Sequence, residues 1–282
     1  MEWLTETKIP LGRWMRIGVD WLTTNAAGFF DTVSLVLGTV IEGLIDAMQW
    51  MNPVALVLLF AALAWLVHRS WRLVLLVVFS GFLIINLGYW KETTETLALV
   101  GMATVVCMLV GVPIGIAAAH RPWLYHAIRP VLDLMQTIPT FVYLIPTLIL
   151  FGLGVVPGLI STVIFAIPAP IRLTHLGISA VPKPLKEAAE AFGATRWQLL
   201  FKVELPHAKP AITAGLTQCI MLALSMVVIA ALVGADGLGK PVVRALNQVN
   251  IAKGFEAGLA IVLVAIVLDR VCKRTEPGSG NG

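Results

Sequence analysis

Charge is scarce in this sequence. Only 13% of its residues are Asp, Glu, Lys or Arg, about half the ~25% usual in soluble domains. Together with 58% hydrophobic residues and a mean hydropathy of +0.88, that shortage excludes a disordered chain and argues against a soluble enzyme. Cysteine is scarce too. Cys107, Cys219 and Cys272 lie in or just after apolar runs, with no CxxC or Cys/His spacing. They suggest neither a metal site nor a disulfide framework, and read as small apolar packing residues. The start, Met1-Glu2-Trp3-Leu4-Thr5-Glu6, lacks a signal-peptide core, so the first membrane-competent helices are expected to direct insertion. The net charge of +4 is too mild for a nucleic-acid binder. What remains, over 282 residues, is a polytopic membrane protein with one domain's worth of helices.

A crossing helix needs about 20 mostly apolar residues. Seven segments qualify: 53–68, 72–90, 94–119, 131–153, 155–173, 211–233 and 254–271. The segment 28–50 differs. Phe29, Val33, Leu37, Val40, Leu44 and Met48 recur at helical spacing, with Asp31, Glu42 and Asp46 between them. That pattern predicts an amphipathic helix lying in the membrane interface. A crossing helix is the alternative, since a mid-helix charge costs only about 2.5–3.5 kcal/mol on insertion scales.

Lys and Arg in short loops set the orientation. Arg69, Arg72, Arg121, Arg129, Arg172, Lys183, Lys186, Arg196, Lys202, Lys209, Arg270, Lys273 and Arg274 fall in one set of loops. The opposite set holds only Lys91, Lys240, Arg244 and Lys253. The richer side is cytoplasmic, which predicts an inside C-terminus and, with seven crossings, an outside N-terminus. Lys8, Arg13 and Arg16 oppose that second inference. Trp50, Trp71, Trp90 and Trp123 lie near span ends, as an interfacial aromatic belt requires.

Prolines interrupt the middle spans: Pro113 between Gly111 and Gly115, Pro139 and Pro146 in the fourth, Pro168 and Pro170 in the fifth. Each removes a backbone donor that lipid cannot replace. Packing kinks and a pathway-lining role are both open for each, and their clustering favours the latter. Pro139, Phe141, Tyr143 and Pro146 are the candidate pathway residues.

Between spans five and six runs a long loop of about 174–210, on the positive side. Pro184 suits a first helical turn, and 185–192 is rich in alanine. Gly193 is placed for a left-handed C-cap. Thr195 with Gln198 fits a capping box opening a second helix, which Pro206 is expected to end. The result is a sharp corner of two short helices, carrying Phe192 and Trp197, suited to docking another protein.

Glu187-Ala188-Ala189, then Gly193, then Val203-x-Leu205-Pro206 resembles the EAA loop, EAA-x3-G-x9-I-x-LP, of binding-protein-dependent ABC importer permeases. The departure is Val203 for Ile. Segments 132–146, 222–231 and 254–258 are similar to the glycine betaine, proline betaine and choline branch of that family. The resemblance implies an all-α type I ABC importer transmembrane domain, with a five-helix core plus N-terminal helices. The corresponding division is an N-terminal segment 1–52, two added helices over 53–92, the transmembrane domain 93–271 and a polar cytoplasmic tail 272–282. It further implies a homodimeric permease in the cytoplasmic (inner) membrane of a bacterium, two cytoplasmic ATPase subunits and an extracytoplasmic substrate-binding protein. That protein is expected to be separate, since the sequence stops at Gly282. Glu187, Ala188, Ala189, Gly193, Leu205 and Pro206 would form the ATPase-coupling loop. ATP and Mg would be bound by the partner ATPase, and no cofactor by this subunit.

Other classes fare worse. Gly234-Ala235-Asp236-Gly237-Leu238-Gly239-Lys240 matches GxxxxGK, but Pro241 replaces the Ser/Thr that binds Mg²⁺, so it reads as a turn. An ion-coupled secondary transporter would place ionisable residues near the membrane midplane. Glu95, Asp133, Glu256 and Asp269 all fall near span ends, although a relay through Asn86 or Gln218 stays open. The five histidines are scattered, with no HExxH and no paired carboxylates to suggest an enzyme or a metal site. Aromatic faces bind a quaternary ammonium at about 0.5–2 kcal/mol per contact. Phe141, Tyr143 and Phe151 could supply them or simply pack. The expected substrate is choline, glycine betaine or proline betaine, on resemblance; an amino acid is the alternative.

Overall fold

The computed structural model describes residues 10–273. Expectations for Lys8, Arg274 and the tail past Lys273 lie outside the described residues. Among the described residues every regular element is helical.

Two N-terminal helices come first, α1 (Leu11–Asn25) and α2 (Ala27–Trp50), of which the hydrophobic pattern predicts only the second. Next is a hairpin of α3 (Pro53–His68) and α4 (Trp71–Asn86). Asn52 caps α3 by accepting from the Val54 N–H at 2.9 Å, with Pro53 in its first turn. Each hairpin helix has 16 residues, roughly 24 Å at 1.5 Å per residue. Both are shorter than the ~20 residues that a perpendicular crossing requires.

The long α5 (Trp90–His120) packs against α8 (Val155–Ala166), α9 (Pro168–Ser179) and α12 (Leu205–Ala230). Gly111 and Gly115 explain the closeness of α5 to α9. A Cβ at Gly115 would stand 2.7 Å from the Ile171 carbonyl oxygen, and one at Gly111 would stand 2.9 Å from Pro170. With no lipid-phase hydrophobic effect to press helices together, such small-residue contacts supply the packing. Leu99, Leu159, Ala223, Val227 and Leu263 form the shared core. The chain ends its membrane region with α14 (Ile251–Cys272), after a short α13 (Gly239–Asn247).

Among the described residues, five helical stretches are long and apolar enough to cross a membrane: Ala27–Trp50, Trp90–His120, Val155–Ser179, Arg196–Val233 and Ile251–Cys272. The expected straight span 131–153 is replaced by α6 (Pro122–Thr137) and α7 (Thr140–Phe151), bent by 99°. Counted as one, they make a sixth crossing. The bend has a local cause. Pro139 cannot donate to the α6 ladder, and Ile138 before it is extended at φ −65°, ψ 132°. Arg172 of α9 holds Asp133 of α6 at 2.6 Å.

Although α2 is long and apolar enough to cross, its contacts run sideways. Phe30 meets Phe151 edge-on at 5.3 Å, Gly38 faces Val156, and Gln49 donates to Thr94 Oγ1 at 3.0 Å. These partners share one end of the bundle. Gly154 donates to the Val233 carbonyl at 2.9 Å, and five residues later the Leu238 N–H donates to Thr96 Oγ1 at 2.8 Å. The helix therefore lies over the ends of α5, α7 and α8, burying only Ile41. Of the Gly234–Lys240 segment, 234–238 is a turn at that end and Gly239 and Lys240 open α13, with Lys240 paired to Asp236.

Candidate functional site

The 183–204 corner is built almost wholly from local rules. α10 (Lys183–Ala191) starts with Pro184 in its first turn. It ends in a complete Schellman arrangement: Gly193 donates to the Glu190 carbonyl at 2.8 Å, and Ala194 donates to the Ala189 carbonyl at 3.0 Å. Gly193 has φ +77°, the left-handed conformation that closes such a cap. Thr195 then opens α11 (Arg196–Leu199) with both halves of a capping box: its Oγ1 accepts from the Gln198 N–H at 3.3 Å, and the Gln198 side chain accepts from the Thr195 N–H at 2.8 Å.

No residue of α10 is buried. Glu187 and Ala188 are open and Ala189 is half-buried. Phe192 is 93% exposed and Trp197 70%, with Trp197 stacked on Phe201 at 5.9 Å. Water gives no reason to expose two large aromatics beside two small alanines. A partner with a groove for the helix does.

Pro206 does not end the second helix. The helix continues without interruption from Arg196 to Val233, through a π turn (Leu200–Glu204). Leu205 donates to the Leu200 carbonyl in the wide turn. Widening by one residue lets Pro206, which has no N–H and would clash with the carbonyl four residues back, sit inside a helix. Leu205 and Pro206 are thereby on the span side of the turn, lining a shallow hollow with Phe201 and Lys209. Glu187, Ala188, Ala189 and Gly193 share the corner itself.

Sequence reasoning missed the group at the root of the corner. Glu204 is buried, its side chain 2% exposed, and it accepts from two cation-forming groups. Lys186 Nζ of α10 lies 2.8 Å from Oε1, and His120 Nε2, at the end of α5, lies 2.7 Å from Oε2. A carboxylate between Val203 and Leu205 in the motif was the only available signal. His120 is 84 residues away, beyond any local pattern.

The four candidate pathway residues are spread out. Pro139 makes the break, Pro146 is half-buried within α7, and Phe141 is exposed. Tyr143 is packed inside, with its hydroxyl on the Met135 carbonyl at 2.5 Å. At the opposite end of the bundle from the corner, Tyr89, Glu92, Glu95, Asp236, Arg244 and Lys253 line a polar cavity of about 390 Å³. Burial pushes the Tyr89 phenol up, with Glu256 and Glu92 adding to the shift.

Residues 111–278 match the family described as binding-protein-dependent transport system inner membrane component. The glycine betaine transport system permease protein OpuAB of Bacillus subtilis is 49% identical over 94% of this chain and 93% of its own length. The glycine betaine/carnitine transport permease protein GbuB of Listeria monocytogenes is 44% identical over 93% and 94%. The glycine betaine/proline betaine transport system permease protein ProW of Escherichia coli is 42% identical over 94% and 75%. A chain from the solved inward-facing MetNI methionine ABC transporter superposes with a TM-score of 0.57 at 24% identity, over 64% of this chain and 94% of that one. The last likeness shows the type I importer fold.

Proposed function

Starting from the fact that the chain belongs to the binding-protein-dependent transport system inner membrane component family, we propose that it imports a quaternary ammonium compatible solute. It is a multi-pass permease subunit of an ABC importer in the cytoplasmic membrane, and not itself an enzyme. ATP is hydrolysed by a separate ATPase subunit, and solute is brought by a substrate-binding protein. Glycine betaine, proline betaine and choline are the proposed solutes. The names of relatives at 42–49% identity support the first two, and a choline transport permease of Bacillus subtilis, 35% identical over 56% of this chain, supports the third.

The assembly we propose is two copies of this chain with two ATPase subunits and one external binding protein. The observation that carries the coupling assignment is the capped, exposed α10 corner with Glu187, Ala188, Ala189 and Gly193. Closure of the ATPase pair would push that corner and switch the permease between inward- and outward-facing states. Solute would enter between the two copies, past Phe141 and the break at Pro139. α2 is assigned to the external interface, which agrees with an outside N-terminus.

The test is uptake by the complete complex in proteoliposomes, with ATP enclosed. ATP-dependent accumulation of radiolabelled glycine betaine or choline, and none of methionine, is the expected result. Uptake that persists without the ATPase and collapses with the ion gradient would overturn the reading.

A further inference from the structure

We propose that Glu204 is a positioning residue that turns movement of the coupling helix into movement of two membrane spans at once, an inference that rests on the coupling role given to α10 above. Its carboxylate joins three segments. Glu204 belongs to the unbroken helical stretch Arg196–Val233. Through Lys186 it grips α10 at 2.8 Å, and through His120 it grips the end of α5 at 2.7 Å.

The rest of the corner offers little other purchase. α10 buries no residue, and it packs mainly on the turn that follows it. A push on α10 would be absorbed by the Gly193 corner unless something stiff crossed it, and Lys186 to Glu204 is the ionic link that does so. Burial makes it stiff. A carboxylate with almost no water contact is held strongly by donors and is costly to strand. The π turn contributes by geometry. Its extra residue leaves Phe201 and Lys202 outside while Glu204 faces in. α5 is in turn locked to α9 through Gly111 and Gly115, so a pull on His120 reaches the centre of the bundle.

A merely structural carboxylate would change stability and leave the ratio of solute moved to ATP hydrolysed unchanged. That ratio is the readout, measured on the complete complex in proteoliposomes, with thermal stability recorded beside it. Glu204→Gln and Lys186→Met are each expected to lower the ratio about fivefold or more, the scale of typical coupling free energies, while hydrolysis continues. The double variant should be no worse than the poorer single one. His120→Gln, which keeps a donor, should stay nearer the original ratio than His120→Leu. If Glu204→Gln fails to assemble, Lys186→Met and His120→Leu carry the test, since both side chains reach the surface. An unchanged ratio in Lys186→Met, in an intact complex, overturns the proposal. If instead the original complex takes up solute without ATP, the coupling reading itself has failed, and the two failures are told apart.

Discussion

The hydroxyl of Tyr143 donates at 2.5 Å to the carbonyl of Met135, the carbonyl that Pro139 leaves without a helical partner. An unbroken α-helix would bond that oxygen to the N–H four residues on, and proline has none. The phenol thus replaces a backbone donor where lipid cannot, and it does so from inside the packing, at 9% exposure. Tyr143→Phe is expected to lower stability by about 1–3 kcal/mol, the cost of an unsatisfied buried acceptor. Thermal unfolding of the purified complex measures it. Adding Pro139→Ala should recover part of the loss, because alanine restores an N–H; strictly additive losses would contradict this account.

Gly193 sets the turn of the corner, at φ +77° with open space around its Cα. Gly193→Ala therefore meets only backbone strain, about 1–2 kcal/mol for a left-handed residue. Gly193→Pro cannot adopt that φ and also loses the N–H given to Glu190. Alanine should leave uptake near normal. Proline should abolish uptake while assembly, followed by co-purification of the ATPase, persists. Normal uptake by the proline variant would remove the corner from the coupling mechanism.

The alanines test the contact itself. Ala188 is exposed on α10, no residue of which is buried, so Ala188→Trp should leave the permease fold intact. Against a closely fitting groove, however, a large side chain is excluded. Co-purification of the ATPase should drop about tenfold or more, equivalent to at least ~1.4 kcal/mol. An unaffected complex would mean that this face of α10 is not the one engaged.

What could be read from the sequence follows the range of the interactions. The Gly193 cap and the Thr195–Gln198 box were legible because every atom involved lies within five residues. The break at Pro139 was half-legible: the proline marks it, but the bend of 99° also has Tyr143 of α7 reaching back to the Met135 carbonyl of α6. Pro206 misled because a missing N–H ordinarily ends a helix, and only the tertiary setting allows a π turn instead. Glu204 was invisible as a site, since its importance comes from His120, brought from the end of a different span. Hydropathy marks the hairpin α3–α4 as apolar enough for two crossings but says nothing of helix length, and both helices stop at 16 residues.

Close helix packing gives a prediction with a sharp steric basis. At Gly115 the obstacle is backbone, the Ile171 carbonyl at 2.7 Å, and beside it Thr174 at the same distance. At Gly101, on the same helix, a Cβ meets nothing within 4 Å. Gly115→Ala must push α5 and α9 apart, at about 1–3 kcal/mol for overpacking. Gly101→Ala should be neutral or slightly stabilising, since alanine is the better helix former. Thermal unfolding of the two variants side by side separates steric cost from a general intolerance of substitution on α5.

The placement of α2 can be decided by labelling both of its ends. A crossing helix has its two ends on opposite sides of the membrane, whereas a helix lying over the bundle has both on one side. Phe30 and Gln49 touch partners at the same end of the bundle, which the distribution of Lys and Arg makes the external one. Single cysteines at Gly28 and at Trp50, both exposed, should therefore react with a membrane-impermeant maleimide added outside intact cells, once the three native cysteines are replaced. A cysteine at Glu190 on the corner should react only after the membrane is opened. Labelling of Trp50 alone would make α2 a crossing helix and move the N-terminus inside, where Arg13 and Arg16 would then obey the charge rule. Labelling of Glu190 from outside would reverse the orientation of the entire chain.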